Sequence, residues 1–265
     1  MKASVGRNGP SKAARLAVRE RPGGTPIMHQ NWGKLLFMHW RIDEALIRSL
    51  IPDALTVDTY DGSAWVAIAP FTMWDIRPFP PLLPAIPGLG SMHELNVRTY
   101  VYYEDVPGVW FFSLDTDSRA AVLAARNFFH LPYHYADIEL AQSGRRIDYA
   151  LSADEDPPIV FDASWNIGDP LKQSQPGSLE FFLTERYALY AEDDAQLYLA
   201  RIHHQPWPLH AAELIKFNTN ILQANGISQP SEEPLLHYAE EVNVDIWPLE
   251  SVVSSQWSVI SNQSS

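Results

Sequence analysis

Four side chains with complementary chemistry alternate along the stretch HELNVRTYVYY, residues 93–103: the acid Glu94, the amide Asn96, the cation Arg98 and the phenol Tyr100. Side chains two residues apart on a β-strand share one face, about 6.6 to 6.8 Å apart. Such a row can hold an anion through its guanidinium group and exchange a proton through its carboxyl group. A solvated outer face is the competing interpretation of the same alternation.

The following stretch favours a buried position for this row. Residues 109–114, VWFFSL, show no alternation, which predicts a strand that is buried on both faces. A hairpin of this strand with residues 93–103 would be central, so its polar face should line a cavity. Polar groups inside an apolar envelope are typical of small-molecule sites. We include Trp110 among the expected ligand contacts.

A second group of reactive side chains follows a predicted helix within SRAAVLAARNFFHLPYHYAD, residues 118–137. Its alanines favour helix, Ser118 can cap the first turn, and Pro132 forces the preceding residue out of the helical conformation. The helix would therefore deliver Tyr133 and His134 at a fixed turn, with Arg126 on the stripe that points toward it. A surface helix with solvated arginines is the alternative.

The composition predicts one folded domain of residues 28–250. The chain has 265 residues, 46% of them apolar, with nine Trp, eleven Tyr and eleven Phe, which is enough for a sizeable core. The absence of cysteine excludes thiol nucleophiles, thiolate metal sites and disulfides. It is compatible with a cytoplasmic location, which we expect.

The net charge of −13 is unevenly distributed. Residues 1–27 carry six Lys or Arg and one acid, a charge of +5 that leaves −18 for the rest of the chain. So acidic a body argues against a nucleic acid partner. No apolar run is long enough to suggest a membrane segment. Residues 1–27 are expected to form a disordered basic leader and residues 251–265 a flexible polar tail. The pattern does not decide between Met1 and Met28 as the start.

The remaining elements complete an α+β prediction. We expect a short helix after Asp43, a hairpin at Asp61-Gly62, a short helix at 178–184 and a longer helix at 209–225. Glu185 and Arg186 are interpreted as a surface ion pair, with a second charged group in the cavity as the alternative. The proline-rich segment 77–91 is expected to cover a pocket mouth or to be strapped over the core. Mostly antiparallel strands in a curved sheet or sandwich, with few helices, would enclose the pocket.

Metal and nucleotide sites find little support in the sequence. His203 and His204 are adjacent, which on a strand places them on opposite faces. His130 and His134 have helical metal-pair spacing, but Pro132 lies between them. No phosphate-binding loop or Gly-x-Ser-x-Gly motif is present. We therefore predict neither metal nor cofactor.

Several stretches together resemble the YqjF-like proteins, the DUF2071 family of uncharacterised bacterial proteins. They are WGKLLFMHW at 32–40, ELNVRTYV at 94–101, GVWFFSLDTDS at 108–118, AARNFFHLPYHYA at 124–136, LTERYALY at 183–190 and HQPWPLHAA at 204–212. The resemblance spans roughly residues 28–250. It implies a distant relationship to acetoacetate decarboxylase, whose curved antiparallel sheet encloses a hydrophobic pocket.

The chain departs from that decarboxylase at its reactive position. The decarboxylase carries two lysines after the proline of the turn that ends its helix, and the first forms a Schiff base with the keto acid. In this sequence those positions are Tyr133 and His134, neither of which can form an iminium with a ketone. Glu94 is the plausible counterpart of an acid in the decarboxylase pocket wall.

Three functions remain open from the sequence. The first is binding of a small anionic or carbonyl-bearing organic molecule without Schiff-base catalysis, through Asn96, Arg98, Tyr100, Arg126 and Trp110. The second is a lysine-independent enzyme of lyase or isomerase type, with Glu94, Tyr133 and His134 as acid, base or oxyanion donor. The third is partner binding through the proline-rich segment. Homo-oligomerisation stays open.

Overall fold

A computed structural model describes residues 9–80 and 90–252 of the chain. The helices are α1 (Lys12–Ala17), α2 (Glu44–Leu50), α3 (Arg119–Phe129), α4 (Leu179–Thr184) and α5 (Ile221–Ala224). The strands are β1 (Met28–Ile42), β2 (Thr56–Val57), β3 (Ala64–Pro78), β4 (Ser91–Tyr103), β5 (Val106–Thr116), β6 (Tyr133–Tyr135), β7 (Asp137–Ser143), β8 (Arg146–Ala153), β9 (Ile159–Pro170), β10 (Ala188–Asp193), β11 (Gln196–His203), β12 (Leu209–Thr219), β13 (Leu235–Ile246) and β14 (Glu250–Ser251).

Seven strands form a closed ring. Their order is β11-β10-β5-β4-β3-β1-β13, and pairing of Ile202 on β11 with Ile246 on β13 closes it. All neighbours in the ring are antiparallel except β5 and β10. The predicted α+β class with a curved, mostly antiparallel sheet is therefore confirmed, with two parallel pairings in addition, β5 with β10 and β5 with β6.

Four further strands extend the sheet beyond β13 in the order β12-β9-β8-β7, while β2, β6 and β14 pair with β4, β5 and β11. One large apolar cluster includes Val97 from β4, Ile147 from β8 and Trp165 from β9, so this extension packs against the outer face of the ring. The inner face carries separate clusters, built around Phe37, Tyr100 and Leu114. The ring thus has an apolar outer support and an interior of its own.

The central hairpin is confirmed, since β4 pairs with β5 along nearly its whole length. The Asp61-Gly62 turn also forms, and both residues have positive φ, 54° and 72°. Tyr60 and Ser63 bond to each other across it. Strand β2, however, pairs with β4 and not with β3.

Two sequence predictions are wrong. The helix expected at 209–225 is strand β12, followed by the single helical turn α5. Pairing of β12 with β9 from His210 to Thr219 outweighs the helix propensity of its Ala, Leu, Glu and Lys residues.

The prediction that residues 1–27 are disordered is wrong for residues 9–27, because α1 is helical and Arg15 forms an ion pair with Asp58. Of the proline-rich segment, residues 81–89 lie outside the described residues, as do 253–265 of the predicted tail.

Candidate functional site

The predicted polar row lies on the inner face of the ring. Strand β4 is central, between β3 and β5, and its register with β3 is regular, so Glu94, Asn96, Arg98 and Tyr100 share one face. The irregularity in the β4–β5 pairing falls at Phe112, an extra residue on β5, which leaves the alternation of β4 intact. We call these four residues the inner row.

Small residues face the middle of the inner row. Ala67 pairs with Arg98 and Ala69 with Asn96 on the neighbouring strand β3, and both alanines are fully buried. Cross-strand partners project to the same side of a sheet. Two methyl groups at these positions fill less of the space beside the amide and the guanidinium group than larger side chains would.

Helix α3 and its turn bring Tyr133 to the inner row, as the sequence predicted. The Ser118 side chain accepts a hydrogen bond from the Ala121 N–H, a cap that stabilises a helix by about 1 kcal/mol. The helix ends at Phe129, with His130 in the left-handed conformation. The chain then pairs in parallel with β5, Tyr133 beside Leu114. From there the Tyr133 hydroxyl donates a hydrogen bond to Oε2 of Glu94.

Burial shifts the pKa of both partners. Desolvation raises the pKa of the Glu94 carboxyl to about 7, although hydrogen bonds from Tyr133 and Asn96 oppose the shift. Desolvation, and next the neighbouring Glu94, raise the pKa of the Tyr133 phenol well above its usual value. Glu94 can therefore gain or lose a proton near neutral pH, whereas Tyr133 remains a hydrogen-bond donor. Asn96 Nδ2 donates to Glu94 Oε1 at 3.2 Å.

Arg98 presents its guanidinium group to the interior. The guanidinium carbon lies 5.3 Å from the centre of the Phe37 ring, in the arrangement of a cation–π contact. Its buried Nε atom has no hydrogen-bond partner within the described part of the chain, and neither has Oδ1 of Asn96. Buried polar atoms are seldom left unpaired, so both atoms are available to a ligand or to water.

The Tyr100 end of the inner row is closed by protein groups. The Tyr100 hydroxyl donates to the Leu183 carbonyl at 2.9 Å and lies 2.7 Å from His39 Nε2. Arg186 stacks on the Tyr100 ring at 4.8 Å and forms a 2.7 Å ion pair with Asp58.

The predicted surface pair of Glu185 and Arg186 is thus wrong, because both residues are buried and Arg186 pairs with Asp58. No pattern in the sequence pointed to the roles of His39 and Asp58.

His134 does not join Tyr133 at the inner row. It pairs with Asp115 on β5, and successive strand residues alternate, so its side chain lies on the other face. Desolvation, followed by Arg126, lowers the pKa of His134. The predicted grouping of His134 with Glu94 and Tyr133 is therefore wrong.

Trp110 and Arg126 are also separated from the inner row. Trp110 pairs with Thr99, which places it on the face opposite Arg98, against the outer cluster. Arg126 donates from Nε to the Tyr133 carbonyl at 2.6 Å and so supports the turn. Both residues line a half-open cleft of about 330 Å³ beside the turn, with Leu131 and Tyr190 in its wall. Their predicted grouping with Arg98 is wrong.

Among the described residues, no group of three or more His, Asp and Glu side chains is arranged to hold a metal ion. Within the same residues, no helix is long and apolar enough to cross a membrane.

Comparison with known proteins establishes the family. Residues 29–243 match DUF2071, described as an uncharacterized conserved protein family. The chain belongs to the DUF2071 family. It is 45% identical over 229 residues to the uncharacterized protein YqjF of Bacillus subtilis (strain 168). The matched region covers 86% of this chain and 93% of YqjF. The predicted family relationship is confirmed.

Solved structures of distant proteins share the fold. The enduracididine biosynthesis enzyme MppR with bound HEPES buffer superimposes with a TM-score of 0.63 at 14% identity, covering 88% of this chain and 90% of MppR. A structure of MppR with pyruvate gives a TM-score of 0.58, also at 14% identity, over 88% and 93% of the two chains. An acetoacetate decarboxylase-like enzyme from Sphingomonas wittichii RW1 gives 0.58 at 13% identity, over 88% and 95%. At these identities the likeness concerns the fold, which is acetoacetate decarboxylase-like.

Proposed function

We propose that this DUF2071 protein binds a small organic carboxylate that also carries a carbonyl or hydroxyl oxygen, inside the closed ring and without a Schiff base. The observation that carries the proposal is Arg98, a cation on the inner face whose buried Nε atom lacks a partner in the described chain. Arginine suits carboxylate recognition because its N–H groups match the two oxygens.

The Glu94–Tyr133 pair supplies the second half of the site. Glu94 lies four residues from Arg98 on the same face, about 13 Å along the strand between Cα atoms. Long side chains shorten that span, so one small molecule can contact both ends. Tyr133 or protonated Glu94 can donate a hydrogen bond to the second oxygen, and Asn96 lies between the two ends. The pyruvate complex of MppR gives independent reason to test keto acids.

None of the three lysines of residues 28–250 is known to contact Glu94, Arg98 or Tyr133 from the bonds described in the structure. Lys216 forms an exposed ion pair with Asp162, and Lys172 is exposed in the segment between β9 and α4. Lys34 lies in β1 at an irregularity of its pairing and acts on the pKa of His93, which bonds to Thr72. The proposal therefore assigns binding to hydrogen bonds and charge.

Catalysis by proton transfer is the second candidate function. A carboxyl group with a pKa of about 7 is poised to act as acid and base at neutral pH. A phenol that stays protonated can stabilise a developing oxyanion. Together Glu94 and Tyr133 would suit removal of a proton next to a carbonyl group, the first step of many lyase and isomerase reactions.

Ligand-observed NMR with a fixed panel tests the binding proposal. The panel is pyruvate, 2-oxobutanoate, 2-oxoglutarate, acetoacetate, lactate and malate. We expect at least one to bind the wild-type protein, and Arg98→Met to weaken that binding at least tenfold. Arg146→Met is the control, because Arg146 lies on β8 in an exposed pair with Asp148. Failure of every panel member to bind would reject the proposal.

Proton exchange tests the catalytic candidate separately. In D₂O the protein should speed deuterium uptake next to the carbonyl group of a bound panel member, and Glu94→Gln should abolish the increase. If a panel member binds but its deuterium uptake is not faster, the protein binds the ligand without catalysing proton transfer.

Partner binding through segment 77–91, a cytoplasmic location and homo-oligomerisation remain predictions from sequence.

A further inference from the structure

The Phe37 ring on β1 is the centre of a cluster that the sequence did not reveal. Arg98 lies 5.3 Å from its centroid, and Trp207, from the loop between β11 and β12, meets it edge-on at 5.1 Å and 87°. His39 stacks beside the Phe37 ring at 5.9 Å between centroids. His237 on β13 is the cross-strand partner of Phe37. Residues from four parts of the chain therefore converge around one ring.

Four buried nitrogen atoms in this cluster have no partner among the described residues, the Nδ1 atoms of His39 and His237 and two that are always hydrogen-bond donors. The two donors are Nε of Arg98 and Nε1 of Trp207. Trp207 is only 4% exposed, so its N–H group is also cut off from solvent. An unpaired buried donor is costly, and a ligand acceptor between these groups would remove the cost.

The position of Trp207 is tightly fixed. It lies between Pro206 and Pro208, which restrict the backbone on both sides. Its backbone N–H donates to Oε1 of the buried Glu185 at 3.2 Å, and Oε2 of Glu185 accepts from the Tyr187 hydroxyl. A side chain held this firmly is preorganised to present its N–H to a ligand.

The charged groups at the cluster are Arg98, the buried Glu185 at the Trp207 backbone, and Glu180, which acts on His237. Glu185 already accepts hydrogen bonds from Trp207 and Tyr187, so Arg98 supplies the positive charge for an anion. Desolvation lowers the pKa of both His39 and His237, so both rings are neutral at pH 7. Arg186, on the Tyr100 side, forms an ion pair with Asp58. The acid on the same face as Arg98 is Glu94, whose pKa is raised to about 7, so it carries only part of a negative charge near pH 7. The charge of Arg98 is thus only partly compensated within the ring.

We propose that Arg98 and the indole N–H of Trp207 together bind the carboxylate group of the ligand beside the Phe37 ring. The inference rests on the proposed function and adds Trp207, a residue outside the inner row, and the orientation of the ligand. The carboxylate end of the ligand then lies toward Trp207, and its second oxygen lies toward Glu94 and Tyr133. Trp207 selects for a charged acceptor, because a neutral ligand end would leave its N–H group with a weaker bond.

The test compares Trp207→Phe, which removes the N–H and keeps an aromatic ring, with Trp165→Phe. Trp165 is a matched control, since it is fully buried and its Nε1 also lacks a described partner, but it belongs to the outer cluster. For the tightest-binding member of the panel, Trp207→Phe should weaken binding about tenfold or more. Trp165→Phe should change it less than about twofold. Equal affinities in the Trp207 variant and the wild type would overturn the inference.

A second measurement reads ligand contact on the wild-type chain and uses the variants only to assign signals. In ¹⁵N-labelled protein, the indole signal of Trp207 should move on titration with the same panel member, while that of Trp165 stays in place. The two variants assign the signals. If the panel member binds and the Trp207 signal does not move, Trp207 does not contact the ligand. The proposed function then stands without this inference, whereas lack of binding by every panel member rejects both.

Discussion

The hydroxyl of Tyr133 donates to Oε2 of Glu94, a residue 39 positions earlier in the chain. One residue comes from the turn after α3 and the other from the central strand β4, so their contact depends on the parallel pairing of β6 with β5. The pair places a proton donor and a carboxyl group with a pKa of about 7 inside a closed ring. Its behaviour with pH is therefore directly testable.

Glu94→Gln should stabilise the protein at alkaline pH relative to the wild type. The folded-state pKa of Glu94 is raised from 4.5 to about 7, so between these values the folded protein binds more protons than the unfolded chain. Stability therefore falls as pH rises through this window, by at most about 3 kcal/mol. The neutral amide of the variant escapes this penalty but gives up one acceptor. The difference in unfolding free energy between variant and wild type, from urea denaturation, should shift in favour of the variant from pH 5 to pH 8.

Asp115→Asn is the control for this measurement. Desolvation raises the Asp115 pKa to about 6 from 3.8, so its contribution changes at lower pH. Arg98 and Asp115 also affect the pKa of Glu94, and Glu94 affects that of Tyr149. All three residues are the same in the wild type and in Glu94→Gln. A Glu94→Gln difference that is flat from pH 5 to pH 8 would show that Glu94 titrates normally.

Tyr133→Phe should raise the pKa of Glu94 further. The tyrosine hydroxyl donates to the carboxylate and favours its charged form, against the effect of burial. Without that donor, Glu94 keeps only the bond from Asn96. Carboxyl signals in a pH-dependent infrared or ¹³C NMR titration should move to higher pH, with a loss of about 1 to 3 kcal/mol in stability for the lost bond to a charged group. Tyr135→Phe provides the control, because Tyr135 bonds to the exposed Asp137. A Glu94 titration that moves to lower pH would contradict the prediction.

The inner row and the Tyr133 turn could be predicted because both follow local rules. Alternation along 93–103 fixes which side chains share a face, and a proline fixes where α3 ends. The apolar strand 109–114 indicated which face is inward. These signals do not depend on how the rest of the chain is arranged.

The partners of those residues could not be predicted, because long-range pairing decides them. The face of His134 follows from the register of β6 on β5, and the face of Trp110 follows from its pairing with Thr99 across the β4–β5 hairpin. Trp207 reaches the interior only because β11 pairs with β13 and closes the ring. Strand β12 shows the same effect on secondary structure, since helix-favouring residues form a strand where β9 offers an edge.

Asp58→Asn should destabilise the protein more than Arg15→Met. The Asp58 carboxylate is fully buried and accepts from Arg15 and Arg186, with Arg186 only 3% exposed at its side chain. Removing the carboxylate charge leaves a buried guanidinium group unpaired, which costs about 3 to 5 kcal/mol. Arg15→Met retains the Arg186–Asp58 pair and should cost less. Urea denaturation of the two variants measures the difference, and a smaller loss for Asp58→Asn would show that Asp58 does not compensate Arg186.

Borohydride reduction in the presence of pyruvate should leave the lysines of the wild-type protein unmodified. A Schiff base needs a neutral lysine amine beside the carbonyl group, and the sequence resemblance to acetoacetate decarboxylase predicts that Tyr133 occupies the position of its reactive lysine. Tyr133→Lys is the matched gain-of-function variant, because it places an amine in the desolvated setting beside Glu94. Mass spectrometry should detect a reduced pyruvate adduct on the introduced lysine, in the variant only. An adduct on any lysine of the wild type would contradict the prediction and show that the chain forms a Schiff base.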